Sequence, residues 1–192
     1  NTYTTSQRYA DVLANVHKTF ADGAFSLNAT LGASIEDYKH RAILLGGDLT
    51  GVPNLFTLAN MTTNKSQAKE TINDQTQSLF ATASFKYAGS LNFEVTGRND
   101  WASTLAYTSH EGSGFFYYSA GASWVIGKMF ELPRWISFAK VRLTWSRVGN
   151  DIPMFITNPK SHVTAGGGIN AADAAPGTDL KPEMTNALEA GL

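Results

Sequence analysis

The sequence predicts an all-β chain, an antiparallel transmembrane β-barrel segment with short turns at one end of its strands and long loops at the other. Three observations predict it. Apolar and polar residues alternate over long runs, most clearly in FSLNATLGASIE from Phe25, and again from Leu79 and from Leu91. Successive strand side chains point to opposite faces. Phe25, Leu27, Ala29, Leu31, Ala33 and Ile35 therefore share one face, and Ser26, Asn28, Thr30, Gly32, Ser34 and Glu36 the other. The second observation is length. Strands of soluble sandwiches run to about 5–6 residues, whereas a tilted strand crossing a bilayer needs about 9–11. The runs from Phe25 to Ile35 and from Leu79 to Tyr87 meet the longer requirement. The third is charge: 16% of residues are charged, against about 25% in ordinary soluble domains, which suits a chain with much surface out of water.

The first element, from about Asp11 to Phe20, carries two patterns. Val12, Ala14 and Val16 give a strand face, while Leu13, Val16 and Phe20 would also line a helix. The tight turn offered by Ala21, Asp22, Gly23 and Ala24 favours a hairpin into the strand from Phe25. After Tyr38 the alternation dissolves from Lys39 to Gln77, with Gly46, Gly47, Gly51 and Pro53 as breakers, and a long loop with a short helix near Lys65 to Thr71 is expected. Such a loop argues against a compact soluble domain and suits the extracellular side of a barrel.

The clearest hairpin follows. Leu79, Ala81, Ala83, Phe85 and Tyr87 lead through Ala88, Gly89 and Ser90 to Leu91, Phe93 and Val95, and the opposite face carries Ser78, Thr82, Ser84, Lys86, Asn92, Glu94, Thr96 and Arg98. Further strands are expected from about Phe115 to Ile126, from about Lys140 to Val148, and from near Pro182. Aliphatics on one face and charges on the other fit a lipid-facing exterior and a wet lumen. Aromatics gather near strand ends, with Phe25 and Tyr87 by short turns and Tyr38, Trp101, Phe116 and Tyr118 toward the loops, as an interfacial girdle would require.

No stretch approaches the ~18 consecutive apolar residues of a spanning helix. The opening NTYTTSQRYADV lacks the basic and apolar regions of a signal peptide. A net charge of −1 with scattered basic residues gives no electrostatic case for nucleic acid. The absence of Cys excludes disulfides and thiolate metal sites within this sequence. About seven strands are expected, fewer than the eight of the smallest barrels, so the chain is expected to be a piece of a larger wall.

Taken together, VTGRNDWASTL from Val95, FFYYSAGASWVI from Phe115, LPRWISFAKVRLTWSRVGND from Leu132, LKPEMTNALEAGL from Leu180 and GGDLTGVPNLFTLAN from Gly46 resemble the barrel of SusC/RagA-type TonB-dependent transporters, over most of the chain from about Val16. The resemblance implies a 22-stranded barrel in the outer membrane of a Gram-negative bacterium, of which this chain, residues 1–192, would be about a third of the wall. It implies a plug absent from these residues, energy from TonB through that plug, and a SusD-type lipoprotein as lid. The implied cargo is an oligosaccharide or oligopeptide nutrient. Alternatives are a family member serving as a scaffold in another outer-membrane complex, and a soluble β-rich binding domain.

Candidate contacts with a lumenal substrate follow from residue type. Gly97, Arg98, Asn99 and Asp100 bring a cation, an amide and a carboxylate to a strand end just before Trp101, where hydrogen bonding and stacking could hold a sugar or peptide. The ordinary reading is that Arg98 and Asp100 pair with neighbouring strands and pin the loop. Glu94 and Arg142 fall on the lumen face by phase and are expected in a charge ladder within the wall. The segment Arg147 to Asp151 reads as turn chemistry, and Gly166, Gly167 and Gly168 as a flexible loop, since the strand and helix of a phosphate loop are missing. His17, His40, His110 and His162 lack metal-ligand spacing, and no Ser sits in a nucleophile-elbow motif. Catalytic residues, metal ligands and cofactors are thus not expected. The sequons at Asn28, Asn60 and Asn64 are taken as chance.

Overall fold

The computed structural model describes residues 1–163 and 168–192, with side chains at all of these except 58, 62–67, 162 and 163. Its strands are β1 (Thr2–Phe20), β2 (Phe25–Leu49), β3 (Met61–Tyr87), β4 (Leu91–Ala102), β5 (Phe115–Val125), β6 (Lys140–Asn150), β7 (His162–Val163), β8 (Ile169–Asn170) and β9 (Glu183–Gly191). Seven of them form one antiparallel sheet in the order β1-β2-β3-β4-β5-β6-β9, while β7 and β8 pair with each other inside the last loop. Each strand of the large sheet lies beside its nearest predecessor in that sheet, so the chain meanders. β1 and β9 are its two edges, and the barrel is not closed within these residues.

The register turns the alternation of single strands into two continuous faces. Directly opposed residues of an antiparallel pair project to the same side. One row runs Val16, Ala29, Ala83, Val95, Ala120, Trp145 and Leu188, apolar across all seven strands. The neighbouring row on the other face runs Asn15, Thr30, Thr82, Thr96, Ser119, Ser146 and Ala187. Hydroxyls on that inner face bond across strands, Thr30 to Asn15 at 2.7 Å and Thr96 with Ser119 at 2.6 Å.

No second layer covers the apolar face. Among the described residues only Ala42 and Leu105 are buried hydrophobics, while Val12 is 77% exposed, Leu143 52% and Leu188 72%. An apolar sheet face in water needs a partner layer and would far exceed the patches soluble monomers tolerate. Hydrocarbon supplies that layer here. The run from Phe25 to Ile35 rises about 33 Å along its strand, or about 23–27 Å along the membrane normal at tilts of about 35–45°. That matches the band of about 25 Å that barrels present to lipid.

The tilt itself is written in the sheet. Lys18 on β1 is a charged outer-face residue right beside the first turn, and beyond it, moving from the turn end toward the loops, the first polar residue on that face is Arg8 on β1, Asp37 on β2, Gln77 on β3, Asn99 on β4, Arg147 on β6 and Asn186 on β9. The row of Asn186 meets β1 at Ala14, six residues from Arg8, so the boundary slips by that much across the six steps between strands. With strands about 4.8 Å apart, a slip of about one residue per strand corresponds to a tilt of about 35°.

Aromatics mark both rims of this band. Phe25 stacks on Tyr87 with centroids 4.7 Å apart at the turn end, and Tyr118 meets Trp145 edge-on at 5.3 Å toward the loops. Trp101 and Phe116 share that outer face. Tyr38 does not, because it pairs with Gln7 and Asp74 in the inner phase, which corrects its place in the expected girdle.

The strands are longer than the alternation suggests. β1 begins at Thr2, β2 continues to Leu49, and β3 starts at Met61, so most of the expected loop from Lys39 to Gln77 is sheet and the connection shrinks to residues 50–60. The helix expected near Lys65 to Thr71 is strand, paired from Gly46↔Ser66 to Arg41↔Thr71. Above the bilayer both faces are wet, so the period-two signal vanishes while ladder bonds persist. The first element resolves as strand. Gly166 and Gly167 of the triple-glycine run lie outside the described residues, as does the Asn64 side chain.

Two turns close the short end. Ala21, Asp22 and Gly23 take positive φ with Ala24 N–H bonding Ala21 O at 2.9 Å, and Ala88 and Gly89 take positive φ with Ser90 N–H bonding Tyr87 O at 2.9 Å. At the other end Asn60 knots the 50–60 connection: its Oδ1 accepts from Gly51 and Val52 N–H, and its Nδ2 donates to Val52 O and Leu55 O.

A charge on the outer face should therefore cost far more than on the inner one. Ala83→Arg is expected to destabilise the full-length barrel by about 2–4 kcal/mol, with Thr96→Arg costing clearly less. Urea unfolding in lipid vesicles measures both, and equal costs would contradict the assignment of faces.

Candidate functional site

The inner face becomes chemically distinctive near its outer rim. Arg98 and Asp100, two apart on β4, lie on the same side, with Ser78 of β3 opposite Asp100 and Tyr117 of β5 opposite Arg98. Arg98 Nε donates to Asp100 Oδ1 at 2.7 Å, and its Nη2 donates to Ser78 Oγ at 2.7 Å. Tyr117 Oη donates to Asp100 Oδ2. Both carboxylate oxygens are thus bonded, which is what a buried charge requires. Asp100 and Ser78 are buried, while the Arg98 side chain keeps 40% of its surface exposed.

A glycine supports this cluster. Phe80 lies beside Arg98 in register, with the guanidinium carbon 5.6 Å from the ring centroid, a cation–π contact. Its ring covers Gly32 on β2, where an added Cβ would stand 2.4 Å from Phe80 Cζ and 2.7 Å from Leu13 Cδ2. The missing side chain leaves the space in which the ring sits and backs the guanidinium.

The other candidates are placed differently. Trp101 follows Asp100 and so faces outward, opposite Gln77, which separates it from Arg98. Glu94 and Arg142 are on the inner face, opposite Gly121 and Ser123 respectively. Glu94 accepts from Asn92 Nδ2 at 3.0 Å, Arg142 packs over Gly191, and no ion pair joins the two among the described residues. The expected charge ladder is instead a local pair, Arg98 with Asp100. Ser78, Phe80 and Tyr117 complete it. Tyr117 shares the phase of Ser119 and Ser123, and that phase is the signal that marks it as inward-facing.

Above the cluster the loops are tied together. Thr104 Oγ1 donates to Asp151 at 2.7 Å, Thr157 Oγ1 to Thr104 O at 3.3 Å, and Ser109 Oγ to Asp179 Oδ1 at 3.0 Å, with His110 Nε2 3.6 Å from the same carboxylate. Asp151 is therefore a clamp between the β4–β5 and β6–β9 loops as well as a turn residue. Among the described residues, no three His, Asp or Glu side chains converge as metal ligands would.

A two-faced sheet of tilted strands, polar within and aromatic-rimmed without, is barrel-wall geometry, and a model of the TonB dependent receptor-like β-barrel family matches residues 1–192. The chain belongs to that family. TonB-dependent receptor barrels are outer-membrane proteins, and among the described residues no helix is long and apolar enough to cross a membrane.

Solved structures share this fold. A RagAB peptide transporter superposes with a TM-score of 0.81 at 16% identity, over 96% of this chain and 21% of that one. The RagAB peptide importer in its "open-open" state gives 0.82 at 16% identity, over 98% and 21%, and in its "closed-closed" state 0.80 at 16%, over 97% and 21%. The chain thus spans about a fifth of the length of these proteins. No curated protein matches it.

Asp100→Asn keeps the shape of the cluster and removes its anion. A loss of about 1–3 kcal/mol is expected, since Arg98 is partly solvated, and denaturant titration of the full-length barrel checks it. Gly32→Ala should cost about 1–3 kcal/mol by overpacking against Phe80, measured the same way.

Proposed function

We propose that this chain is wall of an outer-membrane importer in a Gram-negative bacterium that takes up bulky nutrients, oligopeptides or oligosaccharides. A SusD-type surface lipoprotein would cover its outer mouth, and TonB would supply energy through a plug held in the lumen. The continuous inner face supports this reading. Its rows of Ser, Thr and Asn across every strand offer hydrogen bonds to water and to a passing solute without a deep pocket to trap it. Similarity in fold to proteins described as peptide importers supports the peptide half of the substrate class. Opening would then be gated diffusion, with the wall rigid and the plug mobile. The Arg98 guanidinium, exposed on the inner side and fixed by Asp100 and Ser78, is the wall group best placed to meet an anionic or amide group of the solute near the outer mouth.

The test is uptake by cells carrying the full-length gene, its deletion, or an Arg98→Gln variant. Deletion should abolish uptake of a labelled oligopeptide or oligosaccharide, and loss of TonB should do the same. Arg98→Gln should lower uptake with barrel assembly preserved. Undiminished uptake of both solutes on deletion, together with loss of another outer-membrane assembly, would contradict import and favour a scaffold.

A further inference from the structure

On the turn side of the sheet, one connection is unlike the others. Residues 21–24 and 88–90 are tight turns, but 126–139 between β5 and β6 is a folded loop. Its ends are joined by Ile126 N–H to Ala139 O at 2.9 Å. Within it Phe130 N–H bonds Ile126 O at 3.0 Å and Ile136 N–H bonds Pro133 O at 2.8 Å. Leu132 packs within the loop against Gly127, where a Cβ would come 2.9 Å from its Cδ1. The loop thus has a small interior of its own, and yet Phe130 is 59% exposed, Trp135 83% and Phe138 66%.

Its position on the wall is set by Trp124. That residue lies in the outer row with Leu91 and Val141, and Phe130 meets its ring edge-on at 5.8 Å. Phe130 therefore continues the lipid-facing surface rather than the lumenal one. Strand tilt explains why the loop is needed. Along a row the sheet climbs toward the loop side from β1 to β9, so β5 and β6 end higher than β1 and β2 and their connection has to descend further to reach the inner boundary. Lys128 and Arg134 against Glu131 give the segment a positive balance, and Lys140 follows it at the start of β6.

We propose that residues 126–139 form a foot embedded in the inner leaflet of the outer membrane, with Phe130, Trp135 and Phe138 among the acyl–headgroup boundary of the phospholipids and Lys128 and Arg134 on their phosphates. An indole with its polar N–H, phenylalanine rings on the apolar side of it and flanking cations are the side chains that partition to that depth. The foot rests on the outer-membrane reading, and it adds a lateral anchor that fixes the height of the wall at β5 and β6.

The test uses the full-length protein in vesicles of phosphatidylethanolamine and phosphatidylglycerol, with native cysteines replaced. Nitroxides are placed by Trp135→Cys, and by Ala83→Cys and Val52→Cys as references for hydrocarbon and water. At 135 collisions with oxygen should rise and collisions with a nickel chelate fall relative to 52, giving a depth between those of 83 and 52. A label at 135 that meets the chelate as freely as 52 does, or one shielded from both reagents by covering protein, would overturn the foot while leaving the membrane reading intact. Free access of the chelate to 83 would overturn both.

Discussion

Hydrocarbon offers no hydrogen bonds, so every backbone N–H and C=O that enters it has to find a partner within the protein. Between the edge strands β1 and β9 the partner is the neighbouring strand, and the register that satisfies the backbone also decides what the side chains meet. Because opposed residues share a face, one apolar position per strand becomes a band seven strands wide, from Val16 to Leu188. A slip of one residue on any strand would turn its apolar set inward and its hydroxyls to lipid. The sheet is held by its solvent as much as by its own contacts, and this is why it has almost no buried core of its own.

The same constraint explains where charge is tolerated. Inside, Arg98, Asp100, Ser78 and Tyr117 form a closed set of bonds on a wet face, with Gly32 making room for the ring that backs the cation. Outside, polar residues such as Gln77, Asn99, Arg147 and Asn186 appear only where the band ends, and their slip from strand to strand records the tilt. Trp101, Phe116 and Tyr118 mark the same boundary.

How much of this was legible in the sequence depends on which solvent each face meets. Between Phe25 and Ile35, or Leu79 and Tyr87, one face is dry and the other wet, and alternation shows strand, face and turn position directly. From Thr2 to Tyr9 and from Lys39 to Asn73 both faces are wet, so the strands carry no period, and the second of these stretches reads in the sequence as a loop with a short helix. The Thr and Tyr residues of the first strand are the residual signal there. The Arg98–Asp100 pair was visible as two like-facing residues on one strand. Ser78 and Tyr117 as its partners were not, because strand spacing within one segment says nothing of register between segments. Family resemblance carried what periodicity could not, the TonB-dependent kind of barrel, and the matched family agrees.

The most direct test of the two-faced wall is a single-cysteine scan along β3 of the full-length protein in its membrane, from Leu79 to Tyr87, using a water-soluble maleimide that does not enter lipid. Cysteines at 80, 82, 84 and 86 should react from the lumen, and those at 79, 81, 83 and 85 should stay unmodified until detergent is added. Reaction at all of these positions alike, or a smooth gradient along the strand, would contradict the assignment of one face to hydrocarbon and the other to water.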